Sequence, residues 1–327
     1  MNKLIIFMLS VIISAQAQFL MSVKIITLPD DIKVEENIFK ETLVRNLSDV
    51  EIYEAFNLYV IDGAIYIANS KTPEIVKLSM QGLLLGRAGN KGQGPGEFVD
   101  IERIYEFEGN IAVLDSSLRV ILYTKNLKYN REMKLKKYHI GFLVDRENNF
   151  VFFGSGERDY YFEKFSKDLT PIESFGPSVS PGGYKKNKLF FEEVRLALYV
   201  PEDNGIWACF KNRYDIRYYK NQELAVEIKA EKGFFKTKEE NFAGRIVVWC
   251  KEDRALCLAK SGSRFFYFFR NNGRAFCDIY DSKSYQFLHR VALKHYHYRI
   301  SHYKDNIFYS MLNDESEENL LLFKLEF

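Results

Sequence analysis

Along most of this chain apolar and polar residues alternate with a period of two, and sustained 3.6-residue periodicity is nearly absent. That texture, rich in Phe, Tyr, Ile and Val, suits pleated strands packed on their faces. A short unit recurs in which a polar or glycine-containing turn leads into an apolar strand. Its copies are Gly63–Asn69, Gly109–Asp115, Asn148–Phe153, Asn204–Cys209, Asp253–Leu258 and Asp305–Ser310. Their starts lie roughly 40–50 residues apart, the spacing of propeller blades that hold several strands each. A second apolar run follows most copies, as at Ile75–Leu78, Val120–Tyr123, Phe162–Phe165, Ile216–Tyr219 and Leu321–Lys324. Between these runs, only Lys232–Ala243 has the pattern of a short helix. The fifth unit carries an excess of strand-like runs, at 264–269, 275–280 and 285–291.

A lone four-stranded sheet leaves both faces in water, and stacking such sheets in a ring removes them while leaving only short edges. The expected fold is therefore all-β: a six-bladed β-propeller of four-stranded antiparallel blades. The last unit, Arg299–Phe327, holds about three strands. The missing one is expected from the N-terminus, from Val23–Leu28 or Thr42–Val44, which would close the ring.

Residues 1–17 have the layout of a secretory signal: Lys3, an apolar run over 4–13, and Ala15-Gln16-Ala17 before a cleavage point ahead of Gln18. That run is too short to cross a bilayer. Residues 18–327 then form one domain. No cysteine precedes Cys209, so a lipid-attachment cysteine near the cleavage point is not expected, and a soluble monomer in the periplasm or outside the cell is. The composition, with 46 Lys and Arg against 44 Asp and Glu and 47% apolar residues, excludes disorder and gives no basic excess for nucleic acid. In an oxidising compartment Cys250 and Cys257 can pair if a hairpin turns at Asp253-Arg254; the other reading is two buried free thiols, since Cys often serves as a small core residue.

The densest motif is the run from Gly86 to Phe98, GRAGNKGQGPGEF. It lacks the GK[ST] ending of a phosphate cradle and leads into an alternating strand rather than a helix, so it reads as a crossing between blades. With Ile111–Asp115 and Arg119–Ile121 it resembles NHL-type repeats, and more closely a secreted six-bladed propeller family with a GxGPGEF signature. The resemblance implies a TolB-like propeller and no particular reaction. Units three to six lack the glycine-rich loop.

Loops from outer to next inner strand share a face with those from second to third strand, where propeller ligands enter the channel. Polar candidates there are Arg87, Glu97, Asp115, Arg119, Arg158, Asp159 and Arg213. The plainer reading of Asp115 and Asn69 is that they bond the backbone of their own turns, as Asx residues do. His295 and His297 sit at strand spacing and point to one face, but no third ligand is legible beside them. No cofactor or metal is expected, and no nucleophile–base motif can be assembled. The expected function is a non-enzymatic exported binding protein for a glycan, a peptide or an envelope protein. The alternative is a hydrolase or lyase acting on polysaccharide or peptide.

Overall fold

The computed structural model describes residues 23–29, 31–69, 71–154, 160–177, 188–189, 194–210, 213–230, 234–235, 238–242, 245–249, 254–314 and 319–327. Six blades of four antiparallel strands surround one axis. Blade 1 is built from Ala55–Ile61, Ala64–Asn69, Glu74–Ser79 and Leu84–Ala88. Blade 2 spans residues 101–134, blade 3 141–177, blade 4 194–229 and blade 5 254–292. Blade 6 takes three strands from 297–326, and Lys40–Asn46 pairs antiparallel with Asn319–Glu326 as its fourth. Each inner strand touches the next around the axis, and that of blade 6 touches that of blade 1, so the ring is closed.

The recurrent turns explain the hairpins. Asp62 and Gly63 both adopt positive φ (48° and 70°), as do Glu108 and Gly109 (47° and 71°). A two-residue turn of this hand matches the right-handed twist of the strands it joins. Nothing lies within 4 Å of a Cβ built on Gly63, so that glycine is required by its φ and not by space.

Period two then divides each strand between two interfaces. Ile65 and Ile67 pack with Met311 and Leu322 of blade 6, whereas Tyr66 and Ala68 pack with Ile111 and Val113 of blade 2. Six such apolar clusters, one between each pair of neighbours, make up the core of the described residues. Full burial of a large apolar side chain contributes about 1.5–3 kcal/mol, and every blade needs both neighbours to obtain it.

The N-terminal segment binds three successive blades. Lys24–Thr27 adds a parallel fifth strand to blade 4, Val34–Glu35 does the same on blade 5, and Lys40–Asn46 completes blade 6. Of the two runs expected to close the ring, Thr42–Val44 does so; Val23–Leu28 instead covers the edge of blade 4. Phe39 enters the cluster between blades 5 and 6, with ring centroids 5.7 Å from Phe268 and 5.2 Å from Phe327.

Three local expectations are corrected. Lys238–Phe242, within the segment expected to be helical, is a strand that pairs with Arg245–Trp249. That pair and Lys188–Leu189 form a separate three-stranded sheet. Its Glu239 and Val248 partners show that cross-strand pairing supplies what local propensity lacked. The two runs expected to pair across Asp253-Arg254 do not: Arg245–Trp249 and Arg254–Ser261 belong to different sheets, and Asp253 lies outside the described residues. Cys257 is a buried free thiol on the inner strand of blade 5, and Cys250 lies outside the described residues. Burial pushes the Cys257 thiol up to about 12, which makes it inert rather than reactive. In the fifth unit, Asp253–Leu258 leads into the inner strand, and the counterpart of the other five copies is Arg264–Asn271. Residues 1–17, expected to be a secretory signal, lie outside the described residues.

Candidate functional site

Five of the six inner strands carry a bulge near their start, between residues 55 and 57, 101 and 103, 194 and 196, 255 and 257, and 297 and 299. A bulge inserts one unpaired residue and re-aims the side chains beside it. Here the bulges bring Asn57, Arg103, Arg195 and Arg299 to the wall of the central channel, a cavity of about 360 Å³. Tyr59 and Tyr105 line the same space, and blade 5 contributes the apolar stretch Ala255–Leu258.

The polar groups are held in register. Arg103 Nη1 donates to Asn57 Oδ1 at 3.2 Å and to the Glu102 carbonyl at 3.0 Å, while its Nη2 donates to the Arg195 carbonyl at 3.2 Å. Asn57 Nδ2 donates to the same Glu102 carbonyl at 2.6 Å. Burial raises the Tyr59 phenol above its usual value, against the opposing pull of the Arg103 and Arg299 charges. Burial also pushes Tyr105 up to about 12, so both tyrosines are neutral donors at ordinary pH. Burial raises the Glu102 carboxyl too, partly offset by the Tyr138 hydroxyl (2.9 Å) and by Arg103 and Arg195. Toward the other end His302 Nε2 donates to the Asp305 carbonyl at 2.9 Å, and burial lowers its basicity. Guanidinium groups with neutral phenols in a small, partly apolar cavity suit recognition of a carboxylate, sulfate or phosphate.

The candidates chosen from sequence lie elsewhere. Asp115 is 1% exposed and accepts from Val99 N (2.9 Å), Asp100 N (3.0 Å), Ser117 and Arg119. Arg119 donates in turn to Ser117, to the Gln93 and Glu97 carbonyls, and to the Asp115 and Glu132 carboxylates. Together they tie the glycine-rich crossing to blade 2. Glu97 bends back to accept from Gly94 N at 2.7 Å, and Phe98 is fully buried between blades 1 and 2. A Cβ on Gly89, whose φ is +94°, would stand 2.2 Å from the Phe98 ring.

Arg87 pairs with Glu74 at 2.5 Å beside a separate groove of about 520 Å³. Arg213 pairs with Asp215 at 2.8 Å and lies over the Phe210 ring. None of these five lines the channel; Arg158 and Asp159 lie outside the described residues. Asn69 spans its own turn by donating to Thr72 Oγ1 and Glu74 Oε1. The channel arginines were missed although a signal exists: each interrupts an apolar inner strand, as in IERIY and VRLAL.

His295 and His297 do acquire a third group. Glu41 of the closing strand reaches them between blades 5 and 6, and its Oε2 lies 2.6 Å from His295 Nδ1 and 3.0 Å from His297 Nε2.

Comparison with known proteins places this geometry. No curated protein matches the sequence significantly. Among solved structures, a candidate exported protein of Bacteroides fragilis (BF0058) superposes with a TM-score of 0.64 at 13% identity, covering 93% of this chain and 99% of that one. A DUF4221 member from Bacteroides vulgatus gives 0.59 at 8% identity, covering 90% and 98%. Virginiamycin B lyase from Staphylococcus aureus gives 0.54 at 10% identity, covering 88% and 99%. At such identities the likeness is one of fold. The family model of DUF5128, described as a 6-bladed beta-propeller, matches residues 45–322, and the chain belongs to that family.

Proposed function

We propose that this propeller is an exported binding protein that takes the carboxylate of an acidic glycan at the arginine end of its central channel. The observation that carries the reading is the convergence of Arg103, Arg195 and Arg299 with Tyr59 on one cavity of about 360 Å³. That volume accommodates one or two sugar rings, at the small end of ligand pockets, which span about 300–1,000 Å³. Export is supported by the signal-like residues 1–17 and by the likeness to a candidate exported protein. A catalytic role has less support. Hydrolysis of a glycosidic bond calls for two flanking carboxyl groups, and among the described residues lining the channel Glu106 is the one carboxylate.

Titration calorimetry with galacturonate oligomers and their neutral galactose counterparts tests this. The acidic series should bind and the neutral series should not. Arg299→Gln should weaken binding about 10- to 100-fold, the effect of losing a charge-assisted hydrogen bond of about 1.5–3 kcal/mol. Equal binding of both series, or preference for a peptide with a free over an amidated C-terminus, would refute the glycan reading.

A further inference from the structure

We infer that Glu41, His295 and His297 form a binding site for a divalent transition metal, zinc by its ligand chemistry, that fastens the ring at its closing strand. The site goes beyond the channel reading and is independent of it. Three segments meet there: Glu41 comes from the N-terminal strand, His295 from the crossing between blades 5 and 6, and His297 from the start of the inner strand of blade 6.

The donor atoms, His295 Nδ1, His297 Nε2 and a Glu41 carboxylate oxygen, all lie within 4.8 Å of one another. Tetrahedral zinc with bonds of about 2.0–2.2 Å places its ligands roughly 3.3 Å apart. The two nitrogens stand 2.6 and 3.0 Å from Glu41 Oε2, roughly 0.7 and 0.3 Å inside that spacing, so the carboxylate must draw back from both rings to admit the ion. Two imidazoles and one carboxylate with a fourth position open to water is a known zinc donor set.

The surroundings orient these donors. Ser310 Oγ lies 2.9 Å from His297 Nδ1 and turns Nε2 toward Glu41, as an outer-shell partner of a metal-bound histidine does. The other Glu41 oxygen accepts from Lys294 N at 2.5 Å. His297 and Ser310 are fully buried and the Glu41 side chain is 3% exposed, whereas the His295 side chain is 32% exposed and leaves a way in for the ion. Two imidazole nitrogens aimed at one carboxylate oxygen need a proton each or a shared cation. One divalent ion satisfies all three groups at once and crosslinks positions 254 residues apart.

The test uses untagged protein stripped with a chelator and then titrated with zinc chloride. One equivalent should bind, and the melting temperature should rise with free zinc concentration. Cobalt substituted for zinc should show the visible absorption of a tetrahedral site. Glu41→Gln and His295→Ala should each weaken zinc binding at least tenfold, while His289→Ala, at a histidine that pairs with Glu35, should leave it unchanged. Absence of stoichiometric uptake by the wild-type protein would overturn the inference and reduce the cluster to a hydrogen-bonded latch. Undiminished binding by His295→Ala, or equal loss in His289→Ala, would overturn it as well.

Discussion

Arg103 and Arg119 lie in the same blade and are almost equally inaccessible, 6% and 5% exposed, yet their partners differ in kind. Arg119 meets two carboxylates, from Asp115 and Glu132, and the backbone of the glycine-rich crossing. Its charge is cancelled where it sits. Arg103 donates to the Asn57 amide and two backbone carbonyls, has the raised carboxyl of Glu102 as an acidic neighbour, and stands beside a cavity with Arg195 and Arg299. Burial alone therefore does not tell how the charge of an arginine is met. What separates Arg119 from Arg103 is whether a carboxylate is hydrogen-bonded to the guanidinium, because charge not paired in this way beside a confined cavity can draw an anion.

The largest test of this contrast is Asp115→Ala. It leaves two backbone amides without their acceptor and removes one of the two carboxylates that meet the buried Arg119 guanidinium, and should cost about 3–5 kcal/mol of stability in urea unfolding. By comparison, Arg103→Gln gives up bonds to neutral acceptors and should cost about 1–2 kcal/mol while abolishing most galacturonate binding. If the two variants melt alike, the division fails. Gly89→Ala should fall between these two, at roughly 1–3 kcal/mol, since the added methyl meets the Phe98 ring and the positive φ disfavours it. The same denaturation series reads it, with channel binding unchanged.

The smallest effect concerns pH. Burial raises the folded carboxyl of Glu102 above its ordinary value, against the pull of Tyr138, Arg103 and Arg195. Its contribution to stability is full below the unfolded value of about 4.5 and is lost as pH rises through the raised folded value. Protonation there also removes a negative charge next to the arginines. Galacturonate affinity should consequently rise a few-fold as pH falls through that raised value, and Glu102→Gln should flatten the dependence in calorimetry.

Much of the fold was legible because its determinants are local. The turns before Ala64 and Asn110 and the alternation in AIYIAN and NIAVLD specify hairpins without reference to the rest of the chain. Reading failed where pairing is non-local. Lys238–Phe242 looks helical alone and becomes a strand only beside Arg245–Trp249. Arg87, Asp115 and Arg119 attracted attention as charged loop residues, but their partners Glu74, Val99 and Glu132 show that they hold the crossings in place. For Asp115 the turn-bonding alternative was also readable, and Ser117 bears it out.

By itself the sequence determined that this chain makes twisted four-stranded sheets, how many it makes, and that an N-terminal run must finish the last one. Those outcomes follow from side-chain alternation and turn chemistry, which act over a few residues. Only the tertiary structure decided which charges converge. Arg103, Arg195 and Arg299 share a cavity because bulged strands from three blades turn toward one axis. Glu41 meets His295 and His297 because the first part of the chain is the outer strand of the last blade, a proximity that exists only once the ring has closed.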